Sequence, residues 1–176
     1  MKGVKRLPYR LSGLLKALAE GEPILLVEGE KCADSLHGWG YTATTNSEGA
    51  GKWKPALNRF FPKEAKIYLI PDADQPGVDH MEMVGKYLLS RGCQLFWIDL
   101  GFKENSGKDI ADWIPSHNKD DLETEIAFAP RFELDEAEEE KPPADMKMKK
   151  IEPQYLLPYV PPTGLVRQVL SLAYDS

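Results

Sequence analysis

The chain is poor in the residues that build small stapled or metal-held scaffolds. Two cysteines, Cys32 and Cys93, and three histidines stand among 176 residues. They are too few and too far apart for a disulfide framework or a zinc ribbon. No apolar run approaches the roughly 18 residues that would span a bilayer. The opening MKGVKRLPYRLSG lacks the apolar core of a secretory signal. No repeat with a period of about 20–50 residues is present, which excludes solenoids and propellers. These absences point to a protein with reduced thiols, no membrane partner and a cytosolic setting.

Charge of one sign is also missing from most of the chain. The net charge is −6, yet residues 120–145 alone hold 11 acids and 2 bases, and the remainder holds 17 acids and 20 bases. The acidity therefore belongs to one segment. That segment includes ELDEAEEEKPPAD, which repels itself and has little to bury, so it reads as a solvated linker or an acidic tail for a basic partner. The expected organisation is a lead-in over 1–23, a folded body over 24–118, an acidic helix and linker over 119–145, and a tail over 146–176. The tail, with four prolines before residue 163, reads as the opening of a further segment.

Within the body, short apolar runs alternate with helical patterns. ILLV at 24–27, YTATT at 41–45, IYLI at 67–70 and QLFWIDL at 94–100 read as strands. Residues 30–40, 54–61, 78–91, 109–114 and 120–129 read as helices, with Gln75-Pro76-Gly77 as a turn before the third. This spacing predicts an α/β fold, a mostly parallel four-stranded sheet with helices on both faces. Ligands of such sheets collect beyond the carboxyl ends of the strands.

Acidic residues fall at those ends. Glu28 follows the first strand, Asp72 and Asp74 follow the third, and Asp109 and Asp112 follow the fourth. Like charges converge at a cost unless a cation draws them together, and hard Mg²⁺ or Mn²⁺ takes such oxygen ligands together with water and phosphate. An Asp-x-Asp pair alone equally suits a plain turn. Two better-known motifs fail. DADQPG starts like a calcium loop, but Pro76 and Met83 occupy ligand positions. EGAGKW ends in Gly51-Lys52 but has Trp53 where a nucleotide-hydrolysis loop needs Ser or Thr. Its glycines, Gly49 and Gly51, could still bring backbone N–H groups to a phosphate. Lys31, Lys52, Lys54 and Lys108 flank the rim as possible phosphate contacts. His37 and His80 read as exposed or capping helix residues. Cys32 and Cys93 read as core or near-core, and Trp97 and Trp113 suit the core better than Trp39 and Trp53.

Taken in order, several segments form a recognisable set: Pro8-Tyr9-Arg10-Leu11, VEGEKCAD at 27–34, TTNSEGAGKW at 44–53, PDADQPG at 71–77 and GKDIADWI at 107–114. This set resembles the TOPRIM domain of topoisomerases, bacterial-type primases and related nucleases, and most of all that of phage and mobile-element primases and primase-helicases. The likeness spans roughly residues 8–115. It implies a metal-dependent nucleotidyl-transfer centre that makes primers on a single-stranded DNA template from nucleotides. Glu28 would be the general acid/base or a ligand organiser. Asp72 and Asp74 would bind Mg²⁺ or Mn²⁺, with Asp109 or Asp112 completing the acidic set. Lys31, Gly49, Gly51, Lys52 and Lys108 would form the nucleotide-phosphate contacts. Where bacterial-type primases carry a further acid four residues after the glutamate, this chain has Cys32. A replicative helicase or a zinc-binding module is the implied protein partner. A nuclease using the same carboxylates, and a non-catalytic replication module that binds a helicase or single-stranded DNA, remain as alternatives.

Overall fold

The computed structural model describes residues 6–46 and 51–134. The expectations for the linker beyond 134 and for the tail over 146–176 lie outside the described residues, as does Gly49. Among the described residues no helix is long and apolar enough to cross a membrane.

Among the described residues, five α-helices and four strands follow one another: α1 Leu11–Glu20, β1 Ile24–Leu26, α2 Glu30–Gly38, β2 Ala43–Thr44, β3 Lys66–Leu69, α3 Gln75–Leu89, β4 Gln94–Trp97, α4 Ile110–Trp113 and α5 Lys119–Phe128. The residues expected as a helix at 54–61 form a 3-10 helix over Pro55–Phe60 instead. The four strands form one parallel sheet in the order β2-β1-β3-β4. The expected α/β fold is therefore present.

The strand order explains where the helices go. From β1 the chain crosses through α2 to β2 on one side; from β3 it crosses through α3 to β4 on the other. Parallel crossovers are right-handed, so opposite directions of travel put α2 and α3 on opposite faces. Side-chain alternation agrees. Leu25, Val27, Tyr68, Ile70 and Ile98 share one apolar cluster with α2, α4 and α5. Ile24, Leu26, Ile67, Leu69 and Leu95, on the other face, are buried. Here α1 packs on β1 and β2 and α3 packs on β4. A strand covered on both faces must be apolar throughout, which is why ILLV shows no alternation. Each such side chain contributes on the order of 2 kcal/mol by leaving water.

Several boundaries differ from those expected. The lead-in contains α1, whose Leu14 and Ala17 are buried; Leu11, Leu14, Leu15 and Leu18 keep the helical spacing that announces it. Helix α3 begins at Gln75, because the Asp74 side chain accepts from the Gly77 N–H at 2.8 Å and Pro76 occupies the first turn, where a missing N–H costs nothing. The expected boundary at 118 does not separate α5 from the body, since Leu122 is fully buried in the core cluster. Beyond α5, the Trp97 N–H donates to the Pro130 carbonyl at 2.9 Å, the Phe132 N–H donates to the Leu95 carbonyl at 2.9 Å, and Phe96 and Arg131 form an antiparallel bridge. Phe132 stacks on Trp97 with ring centroids 5.6 Å apart. At the opposite edge the Tyr9 N–H donates to the Thr45 carbonyl at 2.8 Å, and the Thr44 hydroxyl donates to the Tyr9 carbonyl at 2.8 Å.

Two motif segments meet through their side chains. The Tyr9 hydroxyl and the Arg10 Nε both donate to the Asp34 carboxylate, the latter at 2.9 Å. The Arg10 guanidinium and Tyr9 hydroxyl hold the Asp34 carboxyl below its ordinary range. The lead-in and α2 are thus joined across 24 residues of sequence.

Candidate active site

The sheet reverses its winding between β1 and β3, its two central strands. A crevice opens beyond the carboxyl ends of such strands, because the chain leaves them toward opposite faces. Glu28 leaves β1 and Asp72 leaves β3 at this point, and the Asp72 backbone N–H donates to Glu28 Oε1 at 3.2 Å. Glu28 is only 7% exposed. Burial raises its carboxyl above the ordinary range, the Asp72 N–H opposes that, and the Asp74 charge adds to it.

Asp72 is at the centre of the charge. Burial pushes its carboxyl up to about 7, and Glu28, Asp109, Asp74 and Asp112 each push in the same direction. All five candidate acids therefore act on one locality. They are not equivalent. Asp74 caps α3 through Oδ1. Asp109 and Asp112 are tied to each other across the first turn of α4, each side chain accepting from the other's backbone N–H at 3.0 and 3.3 Å.

The loop before α4 is fixed to the Asp-x-Asp loop. The Ala73 N–H donates to the Lys108 carbonyl at 2.8 Å, and the Gly107 N–H donates to the Ala73 carbonyl at 3.2 Å. This pair of bonds sets the GKD segment beside PDAD. A cleft of about 300 Å³ lies against the same loop, bounded by Asp72, Asp74, Trp97, Asp99 and Phe102. Gly77 floors the acidic rim at Glu28 and Asp72. A Cβ there would stand 2.5 Å from Glu28 Oε1 and 2.8 Å from the Asp72 carbonyl oxygen, so only glycine lets α3 approach this closely.

The residues suit a divalent cation. The carboxylates crowd together, and no Lys or Arg figures among the groups that set the Asp72 or Glu28 proton affinity; a cation would relieve that crowding. Among the described residues no three His, Cys, Asp or Glu side chains close into a complete ligand set. Mg²⁺ characteristically uses one or two carboxylates and fills the rest of its shell with water and phosphate. Asp72 and Asp74 are the carboxylates that could serve in that way, with Glu28 beside them.

The basic and glycine candidates are more dispersed. Lys31 and Lys52 are exposed. The Lys108 ammonium lies 5.4 Å from the centre of the Phe102 ring. Gly51 has a left-handed φ of 69°. Its N–H, expected to face a phosphate, donates instead to His80 Nδ1 at 2.9 Å. His80 is correspondingly buried at 3% exposure rather than exposed or capping. Burial also claims Trp53, whose indole N–H donates to Asn58 Oδ1 at 2.8 Å. Cys32 lies beneath Asp109, and burial followed by that carboxylate pushes its thiol up to about 12, so it is no nucleophile. Of the supporting residues, Thr45 and Asn46 stand in the sequence only within the TTNSEGAGKW segment, Gly77 reads there as part of a turn, and His80 as exposed or capping. Thr45 donates to the Glu28 carbonyl at 2.7 Å from a fully buried position.

An acidic rim at the switch point of a parallel sheet places the chain in the class of α/β domains whose ligand crevice lies at that point. Solved structures narrow the class. The chain is similar to the zinc-binding and RNA polymerase domains of Aquifex aeolicus primase, with a TM-score of 0.54 and 19% identity over 68% of this chain and 28% of that one. It is similar to the Escherichia coli primase catalytic core, with a TM-score of 0.53 and 20% identity over 70% and 39%. It is also similar to a DnaG primase catalytic domain bound to single-stranded DNA, with a TM-score of 0.52 and 21% identity over 70% and 39%. No family model matches the sequence, and no curated protein does. The fold is thus the TOPRIM type found in primase catalytic domains, and the chain spans between 28% and 39% of the length of these neighbours.

Proposed function

We propose that this domain is the nucleotidyl-transfer centre of a DNA primase-type enzyme, acting with Mg²⁺ or Mn²⁺ on nucleotides and a single-stranded DNA template. One observation carries the reading. Carboxylates from β1 and β3 meet at the switch point, where burial and their mutual repulsion hold the Asp72 proton to about pH 7. Isolated turn aspartates have no such environment.

When bound, the cation would supply Lewis-acid stabilisation of charge on the transferring phosphoryl oxygens. Asp72 and Asp74 would hold it, and the rest of the site would keep those carboxylates in place. The Asp74 cap on α3 leaves Oδ2 directed toward the Gly107 side. Glu28, only 7% exposed and with its proton affinity raised, is the group suited to move a proton from an attacking hydroxyl. Lys31, Lys52 and Lys108 would meet phosphates. The zinc-binding module in the A. aeolicus neighbour makes a module of that kind, or a replicative helicase, the partner to test in a phage or mobile-element setting.

The test is primer synthesis by the full chain on single-stranded DNA with ribonucleotides and Mg²⁺ or Mn²⁺. Products are expected from the wild type and are expected to vanish in Asp72→Asn/Asp74→Asn. Synthesis that survives the double substitution refutes the assignment, and metal-dependent nicking without nucleotides would make the site a nuclease.

A further inference from the structure

The histidine that the transfer reaction leaves unused is at a junction. His80 sits on α3, one turn beyond Gly77, and is 3% exposed. Its Nδ1 accepts from the Gly51 N–H at 2.9 Å, and its Nε2 lies 3.3 Å from Asn46 Oδ1. Asn46 is itself only 2% exposed. An amide N–H can only donate, so Nδ1 must carry the lone pair. The proton then sits on Nε2 and is donated to the Asn46 oxygen. A single neutral tautomer satisfies both contacts, and burial favours the neutral ring.

Asn46 stands two residues beyond β2, and Gly51 directly precedes Lys52. Both ends are anchored elsewhere too. Thr45 holds the Glu28 carbonyl on one side, and Trp53 is buried against Phe61 and bonded to Asn58 on the other. The ring therefore ties two chain positions to the helix whose first turn Asp74 caps. We propose that His80 is a positioning residue: by clasping Asn46 and Gly51 to α3 it fixes where Lys52 emerges, and so sets the contact of Lys52 with the phosphates of a metal-bound nucleoside triphosphate. This rests on the nucleotidyl-transfer reading for the identity of the ligand; the clasp itself does not.

The experiment uses the full chain and MgATP as the probe. Amide exchange reports the clasp, and titration reports its use. His80→Phe keeps the ring volume and removes both contacts. It is expected to speed exchange at the Gly51 amide and to weaken MgATP about tenfold, the loss of one charge-assisted contact. Lys52→Ala is expected to weaken MgATP similarly with Gly51 exchange unchanged. The double variant should be no weaker than either, because the two act through one contact. His80→Asn, which restores an acceptor near Nδ1, should recover much of the protection and affinity. Three results overturn the proposal. In the first, wild type binds MgATP and His80→Phe binds it equally well; this leaves the transfer reading standing. In the second, the losses from His80→Phe and Lys52→Ala simply add, which also spares that reading. In the third, wild type does not bind MgATP, which removes the transfer reading as well.

Discussion

Replacing Asp72 by asparagine removes the acid on which the other four press. In the folded protein its carboxyl is raised from 3.8 to about 7, first by burial and then by Glu28, Asp109, Asp74 and Asp112. The folded state therefore binds this proton more tightly than the unfolded chain does. Between about pH 4 and pH 7 the folded state takes up more protons, so stability falls as the pH rises through that window and stays low above it. At full strength a shift of this size corresponds to about 4 kcal/mol. Asp72 stands at a rim that water reaches, and screening there reduces the measurable effect to about 1–2 kcal/mol. Asp72→Asn should match the wild type near pH 4, where both side chains are neutral, and exceed it by that amount at pH 8. Mg²⁺ should reverse the order. A cation that binds the ionised rim would stabilise the wild type at pH 8 by about 2.7 kcal/mol at a hundred times its dissociation constant, and the variant far less. Urea melts at pH 4 to 9, with and without Mg²⁺, measure both effects. Parallel stability curves for the two proteins would refute the claim that the carboxylates crowd one another.

Three further substitutions probe the supports of the rim. Gly77→Ala places a methyl 2.5 Å from Glu28 Oε1 and 2.8 Å from the Asp72 carbonyl oxygen; the forced shift should destabilise by about 1–3 kcal/mol and weaken Mg²⁺ binding by calorimetry, and an unperturbed titration would show that the floor can yield. Thr45→Val removes the hydroxyl bonded to the Glu28 carbonyl and strands a buried acceptor, so urea melts should show a loss of about 1–3 kcal/mol. Phe132→Ala takes away the partner stacked on Trp97 and should cost about 1–3 kcal/mol for a half-buried ring, together with a tendency to associate visible by light scattering.

How much could be read in advance depended on whether the signal was local. The strands at 24–26, 66–69 and 94–97 carry their own apolar runs, and the strand ends pointed to Glu28, Asp72 and Asp74 because carboxylates beside such runs are conspicuous. The start of α3 was misplaced because Pro76-Gly77 suits a turn as well as a first helical turn, and only the Asp74 cap decides between them. Helix α1 lies in a segment read as a plain lead-in, although Leu11, Leu14, Leu15 and Leu18 keep helical spacing and Gly13 stands off that stripe on the exposed side. His80 was misjudged for a different reason. Its burial comes from Asn46 and Gly51, more than 28 residues earlier in the chain, and no spacing rule reports a contact of that range.

The segments that lie along the two outer strands have a practical meaning. Tyr9 occupies hydrogen-bonding groups beyond β2, and Pro130 and Phe132 occupy those beyond β4. An uncovered strand is a template for another copy of the chain. A fragment cut to 24–118, which looks like the natural unit from the alternating pattern, would be bare along both borders and prone to stack with itself. Expression trials that keep residues 6–134 retain both shields.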